Sequence, residues 1–322
     1  MQKPFAILLA ATLTLSACVA PGTSTGPTVV RLPMGYIPNA QYAPFYVAVE
    51  KGYFAAEGIQ IDFDYKFETD GVKLVGANAL PFAVVSGEQV VLARAQGLPV
   101  RYVAQWYHTF PVAVFSLASS GIRTPADLKG KRIGLAGFFG ATYVGWRAFL
   151  AANGLSEADV KQEAIGFTQR EAVQQGKVDA AVGYVNNEPL ALAESGFPVT
   201  VFIVGEKVNL VGNGLMTNEE TIRTKPALVR GMSKALLRGV ADTIKDPDAA
   251  LAIATKYVEG LKADDPIQRK VMLATVEMMK TSGKQGASTA AAWESTQATL
   301  LAMGQIQKPL EAGTYFTNEF LP

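Results

Sequence analysis

Apolar and polar positions along the chain fall into short blocks, and the period of each block predicts an element. Val29 to Gly35 is an apolar, β-rich run that reads as a strand. Ala43 to Gly52 carries apolar positions at helical spacing and stops at a glycine suited to a helix C-terminus. Ile59, Ile61, Phe63, Tyr65 and Phe67 alternate with their neighbours, the period-2 pattern of a strand. Short strands follow at Phe82 to Val85, Val100 to Ala104, Pro111 to Leu117 and Arg132 to Ala136. Helices are expected at Val90 to Ala95, stopped by Gly97, and at Ala141 to Asn153, ended by Gly154. Thr124 reads as an N-cap with Pro125 in the first helical position. Val178 to Val182, Pro198 to Val204 and Leu210 to Thr217 predict further strands, and from Lys225 through Trp293 to Met303 the chain is helical and Ala-rich. Strands alternating with helices imply an α/β architecture with mainly parallel sheets.

An internal echo divides this pattern in two. Residues 82–100 give strand, turn, helix and then Gly97-Leu98-Pro99-Val100; residues 178–199 give the same order and end in Gly196-Phe197-Pro198-Val199. Two similar α/β lobes produce such an echo, with chance similarity between strand–helix units as the competing reading. Ligands of open α/β sheets sit beyond the carboxyl ends of the strands, so two facing lobes form a cleft that a hinge can close.

The first residues do not belong to the lobes. Lys3 is followed by an apolar run from Phe5 to Leu15, too short for a membrane-spanning helix but suited to a signal peptide over residues 1–17. Leu15-Ser16-Ala17-Cys18 resembles a bacterial lipobox, in which Cys18 becomes the lipid-carrying N-terminus; an ordinary secretory signal with a chance Cys is the plainer alternative. Residues 18–28 then form a Gly/Pro/Thr/Ser tether.

Composition narrows the function. The 322 residues carry 29 Lys plus Arg, 28 Asp plus Glu, one His and one Cys. Removing the signal takes Lys3 away and leaves 28 of each sign. Near-zero net charge argues against a nucleic-acid binder. One Cys excludes an intramolecular disulfide, and one His with one Cys leaves almost no material for a zinc or copper site. Triad chemistry would have to run through His108 alone. Composition therefore disfavours most metalloenzymes and most hydrolases and leaves binding proteins in play.

Gly35-Tyr36-Ile37-Pro38-Asn39, Ala43-Pro44-Phe45-Tyr46-Val47-Ala48, and Glu50-Lys51-Gly52-Tyr53-Phe54-Ala55-Ala56-Glu57-Gly58 resemble the start of thiamine-precursor-like ABC substrate-binding proteins. That family includes pyrimidine-precursor, riboflavin, taurine and alkanesulfonate binders. The resemblance continues through residues 91–100, 128–134 and 176–184, and covers roughly residues 30–220. It implies a type II periplasmic-binding-protein fold with crossovers near Ser116 to Gly121 and Gly205 to Gly214. Lobe 1 is then residues 29–117 plus 215–322, and lobe 2 residues 118–214. It also implies a permease and an ATPase as partners, and a monomer held at the membrane by its lipid. Pyrimidine-precursor binders typically carry Trp at the position of Tyr36 and His at that of Tyr42; the form found here looks more like riboflavin-binding members that are lipoproteins. Eukaryotic relatives that synthesise the pyrimidine carry a Cys-rich motif and active-site His residues, which this chain lacks.

The strand-to-helix turns deliver a set of aromatic and amide side chains. They are Tyr36, Asn39 and Tyr42; Ser86, Glu88 and Gln89; Trp106, Tyr107 and His108; Phe138 and Phe139; and Tyr184, Asn186, Asn187 and Glu188. Flat heterocycles need faces to stack on and a few fixed donors and acceptors at their edge. No Arg falls in these turns, whereas a sulfonate or phosphate favours one. Plainer roles stand beside each functional one. His108 suits a structural hydrogen bond, Glu188 a helix start ahead of Pro189, and Tyr46, Trp146, Trp293 and the Met278-Met279 pair suit the core. Gly134-Leu135-Ala136-Gly137-Phe138-Phe139-Gly140 reads as a tight turn or as a helix N-terminus opening on the cleft, or both. Taken with the resemblance, these turns give as the expected function the capture of riboflavin for an ABC importer by a non-enzymatic binding protein with no metal and no cofactor. A thiamine pyrimidine precursor as ligand, a pyrimidine-synthase-like enzyme and a sensory lobe remain as alternatives.

Overall fold

The computed structural model describes residues 26–322. The expected signal peptide, the lipidation position Cys18 and most of the tether lie outside the described residues. The chain opens with β1 (Thr28–Pro33), α1 (Ala43–Glu50), α2 (Tyr53–Ala56), β2 (Ile59–Asp64), α3 (Glu68–Gly76), β3 (Phe82–Ser86), α4 (Gly87–Ala95) and β4 (Val100–Gln105). A second lobe follows with β5 (Val112–Leu117), β6 (Arg132–Leu135), α5 (Gly140–Ala152), β7 (Lys161–Ala164), α6 (Gln169–Gln174), β8 (Ala180–Tyr184), α7 (Glu188–Glu194) and β9 (Val199–Ile203). The chain returns through β10 (Asn213–Asn218) to α8 (Glu219–Thr224), α9 (Pro226–Lys245), α10 (Pro247–Ala254), α11 (Pro266–Met279) and α12 (Ala290–Ala302).

The sheet of the second lobe has the order β7-β6-β8-β5-β9. In the first lobe β1 pairs with β2, β10 lies between β3 and β4, and β1 runs alongside β3, which repeats that order. The echo in the sequence therefore has a structural counterpart: β3-α4-β4 and β8-α7-β9 occupy equivalent places in the two sheets. Only β5 and β10 run against their neighbours. Each enters its sheet from the other lobe through a short connection, without the helical crossover that would bring it back in parallel. β5 pairs with β8 and β9, so the expected lobe boundary at residue 117 falls at the wrong end of this strand. The crossover lies between β4 and β5, ahead of Val112. An apolar run such as Val112 to Leu117 satisfies the core of either lobe, and nothing in its composition says which sheet it joins.

Local sequence explains the edges of most elements. Gly52 turns the chain from α1 into α2 with φ 69°, a conformation that favours glycine. Thr124 and Asp127 form the reciprocal capping box of a short helix starting at Pro125. Trp146 and Trp293 are buried as packing residues, and so are Tyr46, stacked on Tyr257 at 4.3 Å, and the Met278-Met279 pair. Five elements were not expected from the apolar pattern: α2, α3, β7, α6 and α8. β7 (Lys-Gln-Glu-Ala) is a polar edge strand, and α6 is a single polar helix of six residues.

Candidate functional site

The lobes meet around a cleft whose free space, counted out to its open mouth, is about 700 Å³. Strand ends and the turns that follow them supply its walls. From the first lobe come Met34, Gly35 and Tyr36 after β1, Gln41 and Tyr42 ahead of α1, Phe67 and Glu68 after β2, and Trp106 after β4. From the second come Phe139 to Thr142 at the start of α5, Phe167 and Gln169 after β7, and Tyr184 and Glu188 at the β8–α7 turn. Asn213 closes the floor where the chain returns. Every polar wall residue sits at an element's end, where backbone geometry aims it into the space between the lobes.

Of the expected residues, the structure brings Tyr36, Tyr42, Trp106, Phe139, Tyr184 and Glu188 together in this cleft. The others stand elsewhere. Asn39 caps the short helix Ala40–Tyr42, accepting from the Gln41 N–H at 3.0 Å. Ser86 and Glu88 lie fully buried behind the first-lobe wall. Tyr107 is buried against Trp106, their rings 4.1 Å apart, and accepts from Asn186 Nδ2 at 3.3 Å. His108 faces a separate cavity on the hinge side, its Nε2 3.4 Å from Gln285 Nε2, and burial holds its pKa below the usual imidazole range. Phe138 is half exposed, edge-on to Tyr143, because it points away from its neighbour Phe139. Asn187 precedes α7 and donates to Glu188 Oε1 at 3.1 Å, positioning that carboxyl. Glu188 lines the cleft, and its Oε2 accepts from the Tyr184 N–H at the end of β8 at 2.8 Å.

Reading the sequence missed Phe67, Glu68, Phe167 and Gln169. All four flank α3 or α6, which carry too few apolar residues to stand out. The available signal was positional: each follows a strand of its sheet, as Tyr36 follows β1.

Rings from the two lobes interleave. Tyr36 meets Phe167 at 4.7 Å, Phe167 meets Phe67 at 4.9 Å, and Phe67 meets Phe139 at 5.0 Å between centroids. Tyr36 and Phe67 belong to the first lobe, Phe139 and Phe167 to the second, so each contact crosses the cleft. Hydrogen bonds cross it as well: Tyr36 Oη donates to Glu188 Oε1 at 2.9 Å, and Asn213 Nδ2 to Tyr184 Oη at 3.1 Å. The lobes are therefore in a closed arrangement.

Two buried polar groups on the wall have no partner in the protein. Trp106 Nε1 is a donor without an acceptor, and Gln169 Oε1 is an acceptor without a donor. Each such group costs about 1–3 kcal/mol while it stays unpartnered. The wall contains no Lys, Arg or His, and its ionisable groups are the carboxyls of Glu68 and Glu188 with tyrosine hydroxyls. Burial raises both carboxyl pKa values, against the N–H groups that hold the charged form. Glu88, behind Ser86, is pushed up to about 8 by burial and then by the Glu68 charge. This arrangement suits an uncharged planar molecule with donor and acceptor atoms on its edge.

Two α/β lobes of equivalent strand order, joined by paired crossovers around a cleft, define the periplasmic-binding-protein class of fold. The alkanesulfonate-binding protein SsuA from Xanthomonas axonopodis pv. citri, solved with bound MOPS, superposes with a TM-score of 0.73 over 92% of this chain and 100% of its own, at 17% identity. The chain belongs to the NMT1/THI5-like family, whose model matches residues 39–250. The riboflavin-binding protein RibY of Chloroflexus aurantiacus is 40% identical over 94% of this chain and 89% of its own. The formylaminopyrimidine-binding protein of Halalkalibacterium halodurans is 28% identical over 98% and 99%. Other members of the family carry the names of pyrimidine phosphate synthases.

Proposed function

We propose that this chain captures riboflavin between its lobes and delivers it to the permease of an ABC importer, with an ATPase supplying the energy and no chemical step on the ligand. The observation that carries this reading is the cation-free aromatic cleft, with one unpartnered donor at Trp106 and one unpartnered acceptor at Gln169. An isoalloxazine offers faces to the rings, a dione edge of alternating donors and acceptors, and a hydroxyl tail for the carboxyls. The 40% identity to a riboflavin-binding protein across nearly the whole chain supports the same ligand. A pyrimidine precursor fits less well, because Tyr36 and Tyr42 replace the Trp and His typical of its binders.

Titration with riboflavin is expected to quench flavin fluorescence with saturation at one ligand per chain. Trp106→Phe is expected to keep the fold, to weaken binding about tenfold through loss of the indole donor, and to lose most of the ligand-dependent change in Trp emission. Trp146 and Trp293 are packed inside the lobes and do not line the cleft. Absence of both quenching and calorimetric heat would remove riboflavin as the ligand. An aminopyrimidine that displaces bound flavin completely at equal concentration would favour the precursor instead.

In this reading the chain acts outside the cytoplasmic membrane as a monomer tethered through lipid on Cys18. No helix among the described residues is long and apolar enough to cross a membrane. Growth with a labelled fatty acid is expected to mark the protein, and Cys18→Ser to abolish the label and release the protein from membranes. Labelling that persists in Cys18→Ser removes the anchor assignment.

A further inference from the structure

The start of α5, the longest helix that opens on the cleft, is a place where physical chemistry favours an anion. α5 has 13 residues, its N-cap Phe139 supplies no side-chain acceptor, and Gly140, Ala141 and Thr142 face the cleft. Free N–H groups and the positive end of the helix dipole make such a terminus attractive to phosphate, sulfonate or carboxylate. The position is already taken. Glu68 reaches across from the first lobe, and its Oε2 accepts from the Ala141 N–H at 3.4 Å. Its other oxygen is anchored at home by the Ser86 N–H and by Ser86 Oγ at 2.8 Å. The carboxyl is thus held from behind and cannot swing out of the way of an incoming anion without breaking both contacts.

Its charge state follows from counting protons. Ser86 Oγ lies within hydrogen-bond reach of both Glu68 Oε1 and Glu88 Oε1. A hydroxyl has one proton to donate, so the second contact needs a protonated carboxyl. Glu88 is fully buried and its Oε2 has no partner, whereas Glu68 accepts from two backbone N–H groups as well as the hydroxyl. The proton therefore stays on Glu88 and the negative charge on Glu68. Glu188 supplies a second carboxyl on the opposite wall, and no cationic side chain lines the space between them.

We infer that Glu68, seconded by Glu188, makes the cleft anion-excluding, so that its substrate class is the uncharged, unesterified ring ligand: a flavin with a free hydroxyl tail is taken and its phosphate ester refused. This deepens the riboflavin reading and rests on it. A phosphate monoester carries a charge of about −1.5 to −2 at neutral pH. Its natural seat at α5 is filled by a carboxylate, and burial elsewhere leaves the charge unpaired. A consequence for the reaction sequence is that a hydrolase must strip phosphate from an esterified flavin before this protein binds it.

The test uses the purified full-length protein and four probes: riboflavin, riboflavin 5′-phosphate, riboflavin 5′-acetate and MOPS. Binding is read by flavin quenching and calorimetry, and by thermal shift for MOPS. The phosphate ester is expected to bind at least about 100-fold more weakly than riboflavin. The uncharged acetate should stay within about tenfold of riboflavin, and MOPS should give no shift. Glu68→Gln is expected to narrow the riboflavin-to-phosphate ratio about tenfold or more by neutralising the occupant of the α5 terminus. Phosphate ester binding within tenfold of riboflavin overturns the inference and leaves the riboflavin reading intact. Equal loss of phosphate and acetate also overturns it, because bulk and not charge then excludes the ester. A folded protein that binds no riboflavin overturns the ligand reading, while a MOPS shift in that protein overturns the exclusion of anions.

Discussion

Gly239→Ala lowers the melting temperature by roughly 5 °C, although alanine is the better helix former. Gly239 lies inside α9, where propensity alone favours alanine by about 1 kcal/mol. The opposing effect is steric. α9 crosses α1 at this residue, and a Cβ added there would stand 2.0 Å from the Pro44 carbonyl oxygen and 3.0 Å from the Ala48 methyl. The nearest obstacle is backbone, so no side-chain rotation relieves the clash, and one of two core helices must move. Overpacking of this kind typically costs 1–3 kcal/mol and more when backbone shifts, so a net loss of about 3 kcal/mol follows after the propensity gain. Gly231 supplies the control on the same helix, eight residues earlier. A Cβ there meets the Glu57 Cβ at 3.0 Å and the Ile59 Cδ1 at 3.2 Å, contacts that a movement of a few tenths of an ångström relieves, against the 2.0 Å at Gly239. Gly231→Ala is expected to stay within about 1 kcal/mol of the parent. Equal loss in both variants, followed by circular dichroism on heating, would show that the crossing at Pro44 is not the cause.

The same contrast between side chain and backbone governs how much of the molecule the sequence revealed. Elements with strong periodicity were legible, because alternating or helical spacing of Val, Ile, Phe and Tyr leaves one solution for burying them. β2, with its strict alternation, and α9, with its one-sided apolar face, are of this kind. β7 and α6 were not, since a polar edge strand and a six-residue polar helix bury little and draw their position from the sheet they join. The site inherited this gap. Tyr36, Trp106 and Tyr184 stand on turns between recognisable elements, whereas Phe67, Glu68, Phe167 and Gln169 stand beside the unrecognised ones. Depth was hidden as well. Ser86 and Glu88 occupy a strand-to-helix turn equivalent to that of Glu188, yet Glu68 from a neighbouring turn lies in front of them. Which of two equivalent acids reaches the cleft depends on what packs before it, and spacing along the chain carries no record of that.

Glu188→Ala lowers ligand affinity about 100-fold, Glu188→Gln about tenfold, and Tyr36→Phe by a similar tenfold. Glu188 Oε1 accepts from Tyr36 Oη at 2.9 Å across the cleft and from Asn187 Nδ2 at 3.1 Å; Oε2 accepts from the Tyr184 N–H at 2.8 Å. The Tyr36 bond exists only when the lobes are closed. A hydrogen bond to a charged group contributes about 1.5–3 kcal/mol, and whatever part of that is specific to the closed state passes directly into affinity. Alanine removes the bond and strands the Tyr184 N–H, whereas glutamine keeps one acceptor for that N–H and lets Tyr36 accept where it formerly donated. The two residues should therefore be strongly coupled. In a double-mutant cycle, Tyr36→Phe is expected to cost little once Glu188 is alanine, because its partner is already gone. Additive losses across the cycle, in variants whose melting shows a folded protein, would mean that each residue touches the ligand independently and that the cross-cleft bond does not control closure.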